Sequence, residues 1–523
     1  MRVGKSVFCG LFLVAGAALW LAEGEEPGFA FRLSTKGLNW AFRKFAKRFE
    51  ELLLYVKVPD VVAANGHFKT TNVASSFVTL PDFIVNFADG VFELSGRGGR
   101  VILDGDLDLD GVWYLFRIQG KSLLDVQNDF TEMRSKVERT DEGSLRITEF
   151  NCTGGISKLA VIFKSCSWGS VYCLFLNFLQ WVTIQTKFQK QWQSSLQDTT
   201  CFLLKRRFVP LTNEFLRTVD WNRNFLLNGQ TVNADMSVVT QPWGTPNYLV
   251  LGHKGEFRLN NQPSNLTAEP MSYLDSDDAK LGTLYASNFL ANSLLKAADD
   301  ANYIRQSVNK TSHPELADML RLRCADNETC LGQAFPLLSK DKAEYGTHGS
   351  LEFGTLGWDR RRQEPTSKDK PAVQFLDRGV HLWTHLSAQL YTVDQKTGRR
   401  KSTSDYAVYS TVRGTVLLTP VQSAARRRGP ATPTKETTLQ ANVTLTHLRV
   451  DKVTTGHLSD RPKRREVRKF FWKAKELIER PFNSELQDEI RIHLFDRFYM
   501  VDTSAELRNN TLVLQTNLTY AEV

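Results

Sequence analysis

The sequence predicts an α+β protein of two halves, each running in the order helix, strands, helix, strands. Three observations carry that reading: a stretch of helical period near the start, a long run of alternating residues after it, and the return of the same succession past residue 280. The chain has 523 residues, 42% apolar and 24% charged, which is enough to build a core in each of two to four domains. That composition excludes a disordered chain, a collagen-like repeat and a disulfide-dense miniprotein.

The first residues set the compartment. Arg2 and Lys5 precede an uncharged apolar run over residues 7–21, and Ala22-Glu23-Gly24 then offers small residues at −3 and −1. Residues 1–24 therefore read as a secretory signal peptide, too short in its apolar part for the roughly 20 residues of a bilayer span. Removing Cys9 leaves six cysteines, an even number suited to an oxidising compartment. Sequons at Asn151, Asn265, Asn309, Asn327, Asn442, Asn509 and Asn517 are glycosylation candidates in the same setting. The last residues, Thr519 to Val523, show neither a retention tetrapeptide nor a lipid-anchor tail, so secretion is the expectation. Residues 165–186 carry no charge but include Asn177, Gln180 and Gln185. They read as a buried helix rather than a span.

Within the mature chain, residues 35–55 place Leu38, Phe42, Phe45, Phe49 and Leu52 at helical spacing, and Pro59 follows. Residues 68–161 alternate as strands do. A long helical segment is predicted over 168–204, with Pro210 beyond it, and strands over 239–259. The second half repeats the order: a helix over 281–308 with Leu284, Phe289, Leu294 and Leu295, strands over 349–453, helices over 465–479 and 484–490, and strands over 499–520. The loop rich in Asn, Pro, Ser and Thr at 260–271 is the linker between domains at 25–259 and 272–523. Basic insertions are read near 358–370 and 394–435.

The net charge of +9 is localised. Residues 1–350 hold 37 bases and 37 acids, residues 351–470 have a surplus of 12 positive charges, and residues 471–523 a deficit of 3. Arg426, Arg427 and Arg428, with Lys463, Arg464 and Arg465, are the candidates for contact with an anionic surface, whereas a secretory chain gives no reason to expect nucleic acid. Asp106, Asp108 and Asp110 mimic the start of a calcium loop, but Arg117 stands where its bidentate Glu belongs. His381 and His385 lack a third ligand and a neighbouring Glu. Ser95 to Arg100 lacks the Lys-Ser/Thr of a phosphate loop and reads as a turn. No nucleophile elbow is present. The expectation is a binding protein without metal, cofactor or catalytic residues. Among the cysteines, Cys324 with Cys330 and Cys152 with Cys201 are the candidate bridges; Cys166 and Cys173 either pair or remain thiols.

An ordered set of short motifs resembles one family. Residues 28–40 run Gly-Phe-Ala-Phe-Arg-Leu-Ser-Thr-Lys-Gly-Leu-Asn-Trp, and Val58-Pro59-Asp60 follows the first helix. Leu80-Pro81, Cys152 and Cys201 about a helix, Lys254-Gly255-Glu256-Phe257, Leu281-Gly282 with Tyr285 and Asn288-Phe289, and the closing 512–520 come in the same order. Over residues 27–523 this is similar to the family of bactericidal/permeability-increasing protein and lipopolysaccharide-binding protein. The resemblance implies an elongated two-domain fold. Each domain is a highly curved antiparallel sheet wrapped around a long helix and a shorter one, with an apolar pocket for the acyl chains of a phospholipid.

Carried onto this chain, the pocket walls are Leu38, Phe42, Phe45 and Phe49, then Phe175, Phe178 and Val182, and in the second half Leu284, Phe289 and Leu294. The implied function is lipid binding or transfer without catalysis. The alternative is an innate-immune, antimicrobial effector that binds lipopolysaccharide. Family members that kill bacteria crowd cations at the first-domain tip, where this chain has Asp104, Asp106, Asp108 and Asp110.

Overall fold

The computed structural model describes residues 25–54, 61–63, 68–88, 90–112, 116–166, 177, 201, 205–206, 209–218, 221–274, 280–303, 306–324, 328–336, 338, 348–355, 372–377, 379–392, 406–424, 435–455, 462, 464–486 and 498–520. Among these, antiparallel strands predominate and helices are few, a more β-rich fold than the sequence predicts. The predicted helix over 168–204 lies outside the described residues apart from Asn177 and Cys201.

Both halves meet in one six-stranded sheet. Its order is Trp243–Thr245, Tyr248–His253, Phe29–Ser34, Gly282–Ser287, Thr511–Tyr520 and Phe498–Arg508. The first strand of each half lies at the centre, with Phe31 opposite Leu284, and the closing hairpin of each half flanks its own first strand. Two serines repeat one contact across this joint. Ser34 N–H donates to the Leu281 carbonyl (3.1 Å) and its hydroxyl donates there too (3.1 Å). Ser287 N–H and hydroxyl donate to the Gly28 carbonyl at 3.0 and 2.9 Å. The range 281–308, predicted as one helix, therefore opens as a strand, and its helix begins only at Asn288.

Each serine leads into a helix. Helix α1, Thr35–Leu53, matches the predicted apolar spacing, and the Ser34 hydroxyl accepts from Gly37 N–H (3.1 Å) as its N-cap. Gly37 is required: a Cβ there would lie 2.1 Å from the Leu281 carbonyl oxygen. Helix α2, Val209–Thr218, has Pro210 in its first turn, where a missing N–H costs nothing. Helix α3 is Asn288–Asp300, α4 the short Leu331–Ala334, and α5 Arg464–Leu486. The last is continuous across Pro481, where two helices are predicted.

The remaining strands form a large sheet in each half, and Asn222–Leu227, Gln230–Asp235 and Glu256–Leu259 make a separate three-stranded sheet in the first. In the first, Phe116–Arg139 has Arg100–Val112 and Val91–Arg97 along one side and Leu145–Cys166 along the other. In the second, Tyr406–Ala424 lies between Gly379–Tyr391 and Lys435–Thr455. Tyr406–Ala424 falls inside the segment read as an insertion at 394–435, yet it is an interior strand; the segment 358–370 lies outside the described residues. Bridges join Cys152 to Cys201 and Cys324 to Cys330.

One interaction recurs four times. Asn39 of α1 accepts from Val85 N–H (2.8 Å) and donates to its carbonyl (3.2 Å). Asn213 of α2 treats Ile147 the same way (2.6 and 3.0 Å), Asn292 of α3 treats Val373 (2.7 and 3.0 Å), and Asn483 of α5 treats Val443 (2.7 and 3.0 Å). Among the described residues, each target lies on a strand with a ladder on one side only: Asp82–Ala88, Leu145–Cys166, Ala372–Leu376 and Lys435–Thr455. A helix side chain thus supplies the partners that an open sheet edge lacks. Replacing Asn39 or Asn483 by Leu, which fills similar space, leaves a half-buried N–H and carbonyl unpaired. Chemical denaturation is expected to show a loss of about 1–3 kcal/mol for each. A change within about 0.5 kcal/mol, as at an ordinary surface position, would contradict the clamp.

Candidate functional sites in two helix–sheet clefts

The apolar interior of each half lies between a helix and a sheet. In the first half, buried Leu38 of α1 packs with Val85, Phe87, Leu145, Leu249 and Leu251. Half-buried Phe42 meets Phe83 edge-on at 5.3 Å, and Phe87 meets Phe92 at 4.9 Å. In the second half, α5 buries Val467, Phe470, Phe471 and Ala474. The first three of these pack in one cluster with Val408, Val412, Val443, Leu445 and Leu448. Phe335, just after α4, touches Phe470 at 6.1 Å and Tyr406 at 5.0 Å. Both helix–sheet interiors are lined by hydrocarbon and aromatic edges.

The predicted wall residues separate. Leu38 and Phe42 lie in the first cleft; the side chains of Phe45 and Phe49, and all of Phe175, Phe178 and Val182, lie outside the described residues. Leu284 is on a central strand, not a helix, and packs with Phe31, Met500 and Leu514. Buried Phe289 lies at the start of α3, where its ring is 2.5 Å from the position a Gly28 Cβ would take. Leu294 is 39% exposed on α3. Sequence reasoning passed over Phe83, Phe87 and the α5 stripe. Positions 467, 470, 471 and 474 do carry the helical spacing, but the adjoining basic run drew attention to the opposite face.

Outside the clefts, a cavity of about 400 Å³ is lined by Lys136, Glu138, Gln241 and Trp243 among others, and one of about 320 Å³ by Phe257, Ser264, Lys296 and Asp300 among others. The acidic strand Arg100–Val112 is partly neutralised: Lys164 pairs with Asp104 and holds its carboxyl below the usual range, and Asn72 donates to Asp106 at 2.8 Å. His381 and His385 share the strand Gly379–Tyr391, and among the described residues no three His, Cys, Asp or Glu gather as a metal site. No helix among the described residues is long and apolar enough to cross a membrane. Arg426, Arg427, Arg428 and Lys463 lie outside the described residues, whereas Arg464 and Arg465 are exposed on α5. Of the sequons, Asn151, Asn265, Asn442 and Asn509 are exposed. The half-buried Asn309 and Asn517 use their amides in hydrogen bonds, and Asn327 is outside the described residues.

Known proteins share this arrangement. Residues 229–344 match the profile of the LBP / BPI / CETP family, C-terminal domain. That match covers the closing hairpin of the first half, the linker, the central strand Gly282–Ser287 and α3. The chain is similar to human lipopolysaccharide-binding protein, 22% identical over 304 residues; the aligned stretch is 56% of this chain and 60% of that protein's length. A crystal structure of lipopolysaccharide binding protein superimposes with a TM-score of 0.51 at 15% identity, over 95% of this chain and all of the other. That likeness is one of fold.

Two buried groups sit where the first half meets the linker. Glu256 accepts from Ser264 N–H and hydroxyl, both at 2.7 Å, and from Arg258 at 2.7 Å. Burial pushes its carboxyl up, but these donors outweigh burial and hold it below the ordinary value. His253 stacks between Phe29 (5.8 Å) and Trp221 (5.1 Å), with Nδ1 2.8 Å from the Met236 carbonyl. Burial lowers its pKa from 6.5 to about 4. The unfolded state therefore takes the proton first, and stability is lost as pH falls from about 6.5 to about 4, by about 3 kcal/mol in total. Urea unfolding across that window is expected to show a shallower pH slope for His253→Phe than for the parent chain. Identical slopes would contradict the assignment.

Proposed function

We propose, starting from the chain's membership of the LBP / BPI / CETP family, that it is a secreted carrier holding phospholipid acyl chains in the two helix–sheet clefts. This is a family of non-enzymatic lipid-binding proteins. The observation that carries the reading is the pairing of an apolar helix face with a sheet in each half, Leu38 and Phe42 in one and Phe470 and Phe471 in the other. Each methylene moved from water into such a cleft contributes about 0.8 kcal/mol, so retention needs chain length more than headgroup contacts. The Asn clamps keep the neighbouring backbone polar groups paired, which leaves the clefts chemically apolar.

Lipopolysaccharide, which gives both relatives their name, is the second reading, favoured here by the exposed cations at the start of α5. Its acyl chains suit the same clefts, and its phosphates would add a salt-dependent component to binding. Protein purified from a eukaryotic secretory host and extracted with organic solvent is expected to yield phospholipid on mass spectrometry. Folded protein that is lipid-free in repeated preparations, and that takes up none from added vesicles, would overturn the carrier reading.

A further inference from the structure

Helix α5 has two faces, and only one is explained by the cleft. At about 100° per residue, Val467, Phe470, Phe471 and Ala474 form one stripe, and all four are buried. Turned away from it are Arg465, Arg468, Lys469 and Lys473, and Arg464 stands in the first turn above Phe471; all five are exposed. Near the middle of that face stands Trp472, 51% exposed. Lys475 Nζ lies 5.4 Å from the Trp472 ring centre. Among the described side chains, the acids nearby are engaged: Glu466 with Lys469 at 3.4 Å, and Glu479 with Lys475 at 3.7 Å and with the Leu445 N–H.

A solvated helix face needs charge and gains nothing from a large exposed indole. Nor does the interior need this ring, since Phe470 and Phe471 already fill the buried stripe. Cations surrounding an outward tryptophan match one surface in particular, an anionic bilayer. There the cations meet lipid phosphates and carboxylates, and the amphipathic ring settles at headgroup depth. We propose that the exposed face of α5 docks the protein on an anionic phospholipid bilayer, with Trp472 as the interfacial anchor. Its cations Arg464, Arg465, Arg468 and Lys469 close the region 351–470 that carries the chain's positive surplus, so net attraction and local geometry agree at the start of the helix. Docked in this way, the same helix offers its cations to the membrane and its apolar stripe to the second cleft. The proposal extends the carrier reading but does not depend on a filled cleft.

The test uses the full chain and vesicles of phosphatidylglycerol with phosphatidylcholine, against phosphatidylcholine alone, by co-sedimentation. Binding is expected to require the anionic lipid and to weaken as salt rises. The triple substitution Arg464→Gln, Arg465→Gln, Arg468→Gln is expected to lower it roughly 100-fold. A first-half control of equal charge change, Arg97→Gln, Arg134→Gln, Arg146→Gln at exposed positions, is expected to leave it within about threefold. Trp472→Ser is expected to lower vesicle binding roughly tenfold while leaving heparin binding unchanged. Equal losses in the two triple variants would overturn the proposal in favour of diffuse charge. A Trp472→Ser protein that binds vesicles as the parent does would overturn it in favour of a soluble polyanion. Extracted lipid is expected to be the same in all variants, so failure here is distinct from failure of the carrier reading.

Discussion

The antiparallel pairing of Phe29–Ser34 with Gly282–Ser287 is the contact on which the rest of the fold depends. Residues some 250 positions apart in sequence form this joint, and each strand hands directly into a helix. Its geometry is reciprocal: Ser34 reaches the residue before the second strand, and Ser287 reaches the residue before the first. The approach is so close that Gly37 cannot carry a side chain. Two halves with one plan are thereby fixed back to back, and the helices start from opposite ends of one sheet.

Open edges are the second constraint. Each half-sheet ends in strands whose outer N–H and carbonyl groups lack a ladder, and the structure meets them with asparagines borne on helices. The arrangement links packing to function. A helix that must hold a sheet edge through Asn39 or Asn483 is also held at the height where its apolar residues border a cleft. Movement of the helix away from the sheet would break two hydrogen bonds at each clamp, a cost of about 1 kcal/mol per bond.

Parts of this were legible in the sequence. The α1 period, the alternation through residues 68–161, the strand reading of the Asp106 segment and the two cysteine pairs all have counterparts in the structure. The failures share physical causes. Residues 282–287 satisfy a helical and a strand pattern alike, and only their partner strands decide between them. No element is predicted at 209–218, where Pro210 in a first helical turn acts as a starter, and Pro481 lies within a helix that packing sustains. The clamping asparagines could not be singled out, because an asparagine's role is fixed by a backbone tens of residues away. Within the candidate clefts, helix α1 was visible by period, while the strand aromatics Phe83 and Phe87 were hidden in a run where every second residue is apolar.

The central claim is that lipid chains lie inside both clefts. Photocrosslinking with a phospholipid bearing a diazirine near the end of its acyl chain, followed by peptide mapping, tests it most directly. Labels are expected on the peptides containing Leu38 and Phe42 and on those containing Phe470 and Phe471, in comparable yield. Labelling confined to exposed strands such as Asn222–Leu227, or to one half alone, would contradict it.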